Sequence, residues 1–190
     1  MLNELLQKNR SYRRFDEGYE IPKEVFVALT EALRYTASAA NLQRVRVFYV
    51  TEPALRQRVF ETLGFAAYLK NWDGPVAGER PTAYAVLLTE EEPNSVLSID
   101  VGLCAQSMLL SACEKGLGGC IFGSFSREKL LSALEISGYH PSIVIALGKP
   151  AETVRITDMV DGDVKYYRNE LDEHIVPKRS IEELSLTPLF

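Results

Sequence analysis

The segment Asn94–Lys115 constrains this chain more than any other. It is apolar on nearly every side, so it reads as a helix that must be buried all round. Its most apolar run, Val101–Cys113, is shorter than the roughly 20 residues a bilayer requires and is interrupted by Gln106, Ser107 and Ser111. The place for such a helix is the core of a globular fold. A chain of 190 residues that is 46% apolar supplies enough material for one such core.

Around that helix the periodicities alternate. Leu2, Leu5 and Leu6 give a short first helix, and Pro22 followed by Phe26, Leu29 and Leu33 gives a second. Strands are predicted at Val45–Thr51, Ala83–Thr89, Cys120–Phe125 and Ser142–Leu147. Helices are predicted at Pro53–Leu63 and after Ser126, and Gly116 and Gly118 end the long central helix. The helices do not come one per strand, so the expectation is α+β with a central sheet rather than a doubly wound parallel sheet. Residues 1–154 form the expected core. Residues 155–190 read as a charged tail without a core pattern, yet Ile175, Val176, Ile181, Leu184, Leu186, Leu189 and Phe190 need a surface to cover them. A partner subunit is the expected target.

Composition narrows the function classes. The formal charge of −5, from 26 acidic and 21 basic residues, argues against a general nucleic-acid binder. The three cysteines, Cys104, Cys113 and Cys120, are odd in number and form no C-x-x-C, so they read as core thiols in a reducing cytoplasm. The N-terminal run MLNELLQKNRSYRRF lacks the apolar stretch of a signal peptide. His140 and His174 stand far apart, no metal-ligand spacing occurs, and no nucleophile sits beside an evident base. If the chain is an enzyme, a borrowed cofactor carries the chemistry.

Four short segments are candidates for holding one. Arg10, Arg13 and Arg14 surround the hydroxyl of Ser11, a solvated basic turn or a phosphate cradle of forked guanidinium donors. Ser38-Ala-Ala-Asn-Leu-Gln43 is a polar helix-to-strand loop, or a set of Asn41 and Gln43 amides suited to a ring edge of alternating N–H and C=O groups. Gly116-Leu-Gly-Gly-Cys-Ile-Phe-Gly123 fails as a P-loop and as a dinucleotide fingerprint; it is a helix cap and turn, or backbone approaching a flat ligand. Lys178 and Arg179 are surface charge or a second basic arm for a phosphate.

In order and spacing, R-S-x-R-R-F, S-x-x-N-x-Q, G-L-G-G and V-P-K-R together resemble the nitroreductase family of FMN enzymes, over essentially the whole chain. The resemblance implies a mainly antiparallel sheet flanked by helices, and a C-terminal arm that adds a strand to the partner's sheet in a homodimer. It implies two FMN sites at the dimer interface. Arg10 and Ser11 would hold the phosphate and ribityl chain, and Arg13 would lie near the flavin N1 and O2. Ser38, Ala39, Asn41 and Gln43 would come from the other subunit, Gly118 and Gly119 would lie near the ring face, and Lys178 and Arg179 would add a late phosphate-binding pair. No side chain is assigned a catalytic step. The implied activity is reduction of bound FMN by NADH or NADPH, then of a nitroaromatic, quinone or flavin acceptor in ping-pong order. The alternatives are a flavin-fragmenting or dehalogenating relative and a non-catalytic flavin-binding or regulatory module. The loop Gly64–Pro81, with Tyr68 and Trp72, is the expected acceptor lid or a hydrophobic plug.

Overall fold

The computed structural model describes residues 2–65, 67–69 and 72–187. Its main sheet has four antiparallel strands in the order β1 (Val45–Val50), β2 (Ala83–Thr89), β4 (His140–Gly148) and β3 (Gly118–Phe122). Every residue of β2 is buried, as a central strand covered on both faces requires. Ala85 and Leu87 point to one face, where Leu29 of α2 (Lys23–Arg34) and Val101, Ala105 and Met108 of α4 (Ser95–Glu114) meet them. Tyr84, Val86 and Leu88 point to the other, against Val59 of α3 (Pro53–Phe60) and Leu130 and Leu134 of α5 (Arg127–Leu134). The α+β expectation holds, with helices on both faces.

The central helix begins where Asn94 caps it, its side chain accepting from the Leu97 N–H at 3.0 Å. It is long and apolar enough to cross a membrane by length and composition, but Leu97, Val101, Ala105, Met108 and Ala112 lie buried in the fold's core. The expectation that it is buried all round fails. Val96, Ile99, Gly102, Leu103 and Gln106 are exposed, with Ile99 at 63%. A helix lying on a sheet covers only the side that meets it, and α1 (Leu2–Lys8) reaches only the far end of α4, where the Cys113 thiol lies 3.8 Å from the Leu5 carbonyl.

The tail corrects the sequence reading more sharply. It is not patternless: β5 (Val154–Asp158), β7 (His174–Lys178) and β6 (Tyr167–Arg168) form a second sheet in the order β5-β7-β6, β5 parallel to β7 and β6 antiparallel to it. His174 and Ile175 are buried within their own chain. A short α6 (Ile181–Leu184) follows with a capping box between Ser180 and Glu183, and its Ile181 and Leu184 stay exposed. Leu189 and Phe190 lie outside the described residues.

Candidate functional site

The basic turn leaves α1 as an extended strip. Ser11 bridges Gly119, the Tyr12 N–H donates to the Gly119 carbonyl at 3.0 Å, and Phe15 bridges Pro150. The strip thus closes the outer edge of β3, and it explains the paired glycines. A Cβ at Gly118 would meet the Tyr12 ring and Pro150, and one at Gly119 would come 2.5 Å from the Ala146 carbonyl. Side chains of the strip and of Pro150 leave no room for a side chain at Gly118, and the backbone of β4 leaves none at Gly119. The helix cap is Gly116, at φ +74°, where a left-handed residue turns the chain into β3.

A buried carboxylate fixes the strip. Glu152 has a side chain 2% exposed and accepts from the Arg13 N–H, from the Arg14 N–H at 3.0 Å and from the Arg168 guanidinium at 2.6 Å. Arg14 also pairs with Glu79 at 3.2 Å and with Asp172. Beside them Arg13 donates to the Ser11 carbonyl and to His174 Nε2, each at 3.3 Å, with its guanidinium 4.6 Å from the centre of the Tyr166 ring. Burial, then the charge of Arg13, pushes the His174 pKa down to about 4, against the opposing pull of Glu152. Glu152, Arg168 and His174 were not singled out from the sequence; a carboxylate just past Pro150 and a histidine before I-V-P carry no spacing signal.

Arg10 donates from one terminal nitrogen to the Leu6 carbonyl at 2.5 Å, and its buried Nε has no partner among the described residues. Thus Arg10, Ser11, Arg13, Gly118 and Gly119 converge in one chain. The Ser38–Gln43 loop does not join them. The Ala39 N–H donates at 2.9 Å to Asp100, a carboxylate buried near the start of α4. Gly119 lies beside Leu109, nine residues further along that helix, or about 14 Å at about 1.5 Å per residue. The loop is specialised all the same. Ala40, Asn41 and Gln43 have φ of 48°, 55° and 49°, and left-handed non-glycine residues cost about 1–3 kcal/mol each where the surroundings impose them. The Ser38 hydroxyl accepts from the Gln43 N–H at 3.1 Å and closes the turn. Lys178 and Arg179 are exposed at the end of β7, about 13 Å along the strand from His174. Among the described residues Arg179 pairs with Glu183 at 3.5 Å rather than with the strip.

The Gly64–Pro81 loop is anchored at its described residues. Trp72 packs edge-on to Phe65 with centroids 5.9 Å apart and lies beneath the Arg168 guanidinium, while Tyr68 meets Tyr166 at 5.0 Å. The thiols fit core roles: burial pushes Cys104 up to about 11 and raises Cys113 and Cys120 as well.

A glycine-edged α+β scaffold with a basic strip clamped along β3 defines the class. The chain belongs to the nitroreductase family, whose sequence profile matches residues 6–149. An NADPH-dependent oxidoreductase of Staphylococcus epidermidis is 25% identical over 167 residues, covering 78% of this chain. The chain spans 64% of the length of that relative. Among solved structures, a nitroreductase family protein from Clostridium novyi superposes with a TM-score of 0.68 at 18% identity, over 79% of this chain and 86% of its own. A Staphylococcus epidermidis protein described as a candidate NAD(P)H:FMN oxidoreductase gives 0.71 at 19%, over 99% and 96%. An FMN-dependent nitroreductase from Clostridium difficile gives 0.65 at 20%, over 80% and 88%. These likenesses establish the fold.

Proposed function

We propose that the chain is an FMN-dependent oxidoreductase that takes electrons from NADH or NADPH and passes them to a small acceptor such as a nitroaromatic, a quinone or a second flavin, in ping-pong order. The carrying observation is the Ser11–Gly119 bridge, which sets Arg10 and Ser11 beside the head of β3 within a nitroreductase-family fold. The names of the relatives, an NADPH-dependent oxidoreductase and an FMN-dependent nitroreductase, support it. The donor set suits the group: Arg10 uses one terminal nitrogen on the Leu6 carbonyl and keeps the other for phosphate oxygens. Bound FMN supplies hydride acceptance and donation. The chain's residues bind and orient it and place positive charge beside it.

The same reading makes the protein a homodimer. The outward face of α4 carries Val96, Ile99, Leu103, Gln106 and Leu110, the alternating three- and four-residue spacing of a helix-packing seam. With the two-fold axis perpendicular to the seams, the two helices run antiparallel. The Asp100 end of each chain, with Ser38, Ala39, Asn41 and Gln43, then lies near the Gly118 end of its partner. Exposed Ile181, Leu184 and Leu186 suit residues 179–187 to an arm on the partner, and Lys178 and Arg179, at its root, to the phosphate. A cytoplasmic setting, where three unpaired thiols stay reduced, accompanies this reading.

The test is anaerobic spectrophotometry of the purified protein. Flavin colour that NADH or NADPH bleaches, and that an added quinone restores, supports the oxidoreductase. Colour without bleaching makes the protein a flavin-binding module, and a colourless protein that ignores added FMN contradicts the proposal.

A further inference from the structure

We infer that His174 and Tyr166 are positioning residues, which hold the Arg13 guanidinium in place with its positive charge unpaired and so favour the reduced state of the bound flavin. The inference rests on the FMN reading, under which Arg13 lies beside the ring.

Three arginines meet where the basic strip reaches the C-terminal sheet, and their partners divide them. Arg14 is paired with Glu79 at 3.2 Å and with Asp172. Arg168 is paired with Glu152 at 2.6 Å and with Asp172 at 3.5 Å. Arg13 makes no ion pair among the described residues; its guanidinium donates to the Ser11 carbonyl and to the His174 imidazole and lies over the Tyr166 ring. The neighbouring carboxylates are committed elsewhere. Glu173, next to His174 in the chain, pairs with Arg155 at 2.7 Å, and Glu152 takes Arg168 and two backbone N–H groups. Uncharged acceptors fix the direction of a guanidinium and leave its field intact, whereas a carboxylate in contact would cancel it.

His174 is suited to that task. It is fully buried, and burial, then the charge of Arg13, keep its ring neutral. Its Nδ1 is buried with no hydrogen-bond partner among the described residues, so Nε2 is the atom through which the ring acts. Tyr166 packs on the imidazole with centroids 5.2 Å apart and planes inclined by 31°, and the Arg13 guanidinium sits 4.6 Å from the centre of the Tyr166 ring. The His174 N–H donates to the Thr153 carbonyl at 2.9 Å, one residue from the Glu152 that holds the Arg13 N–H. Backbone and guanidinium of Arg13 are thus fixed from one place. The hydride that NADH or NADPH gives up carries two electrons and one proton, so its transfer leaves one added negative charge on the accepting ring. A fixed, unpaired cation beside that ring stabilises the added charge.

The experiment measures the midpoint potential of FMN bound to the full-length protein by anaerobic dye equilibration. Arg13→Gln removes the charge, His174→Glu cancels it with a carboxylate, and His174→Leu releases it. Each should lower the preference for reduced over oxidised FMN about tenfold, read as a midpoint about 30 mV below native for a two-electron couple. His174→Gln keeps an acceptor and Tyr166→Phe keeps the ring, so both should match the native protein, while Tyr166→Leu should fall below it. A native midpoint in Arg13→Gln, or in both His174→Glu and His174→Leu, overturns the inference while FMN still binds. A native protein that binds no FMN overturns the FMN reading and the inference with it. If the His174 variants do not fold, Tyr166→Leu against Tyr166→Phe decides: equal midpoints contradict the inference.

Discussion

The guanidinium of Arg13 donates to Nε2 of His174 across 3.3 Å, joining the basic turn to the C-terminal sheet over 161 positions of sequence. Arginine has no lone pair to offer, so the imidazole must accept there and carry its proton on Nδ1. Protonating the second nitrogen would set two cations against each other in a buried site.

That relationship predicts acid lability. The folded-state pKa of His174, about 4, lies below its ordinary 6.5. Between those values the unfolded chain binds the proton and the folded chain does not, so stability rises with pH. It is complete above 6.5 and is lost as pH falls toward 4, by about 3 kcal/mol in all. Urea melts between pH 4 and 7 should show this slope in the native protein and lose most of it in His174→Gln. An equal slope in both would place the titrating group elsewhere.

Glu152 should be the most sensitive residue of the strip. Removing one partner from a buried ion pair costs about 3–5 kcal/mol, and Glu152→Ala would also strand the Arg13 and Arg14 N–H groups. Thermal and chemical denaturation should show a loss of that size. A loss under about 1 kcal/mol would mean that water replaces the carboxylate.

What the sequence revealed and what it hid divide along physical lines. The helices and central strands were legible because burial marks the sequence: one buried face imposes a period, as in α2, and two give an unbroken apolar run, as in β2. The tail was illegible because β5, β6 and β7 are short, pair mainly with one another, and include Pro177, which disfavours a strand. Arg10, Ser11, Arg13 and the glycine pair were found as motifs and do meet. Glu152, Asp100 and His174, which hold those motifs in place, were missed. Their roles depend on partners 61 to 161 positions away, a separation no local pattern records.

Under the FMN proposal Arg10 binds phosphate through charge-assisted bonds worth about 1.5–3 kcal/mol. Arg10→Ala should therefore weaken FMN binding roughly ten- to a hundredfold, measured by fluorescence titration of the flavin-stripped protein. Unchanged affinity would remove Arg10 from the site.

The thiols should be dispensable for the chemistry. Burial raises all three, Cys104 to about 11, so none is a thiolate near neutral pH. A folded, FMN-loaded triple variant with Cys104, Cys113 and Cys120 changed to Ala or Ser should be reduced by NAD(P)H at close to the native rate. Complete loss of reduction would reveal a thiol in the reaction.

A flavin site shared between two chains makes a prediction that a site within one chain does not. Arg10→Ala cripples one half of the site, and Asn41→Ala with Gln43→Ala cripples the other half, which each chain holds toward the start of α4. Each variant as a homodimer carries one lesion in both of its sites. A mixed dimer of the two carries both lesions in one site and none in the other. Co-expressed chains with different affinity tags, purified through both tags, should regain tight FMN binding at about one flavin per dimer, together with its reduction by NADH or NADPH. Mixed dimers that bind flavin no better than either parent would contradict the shared site.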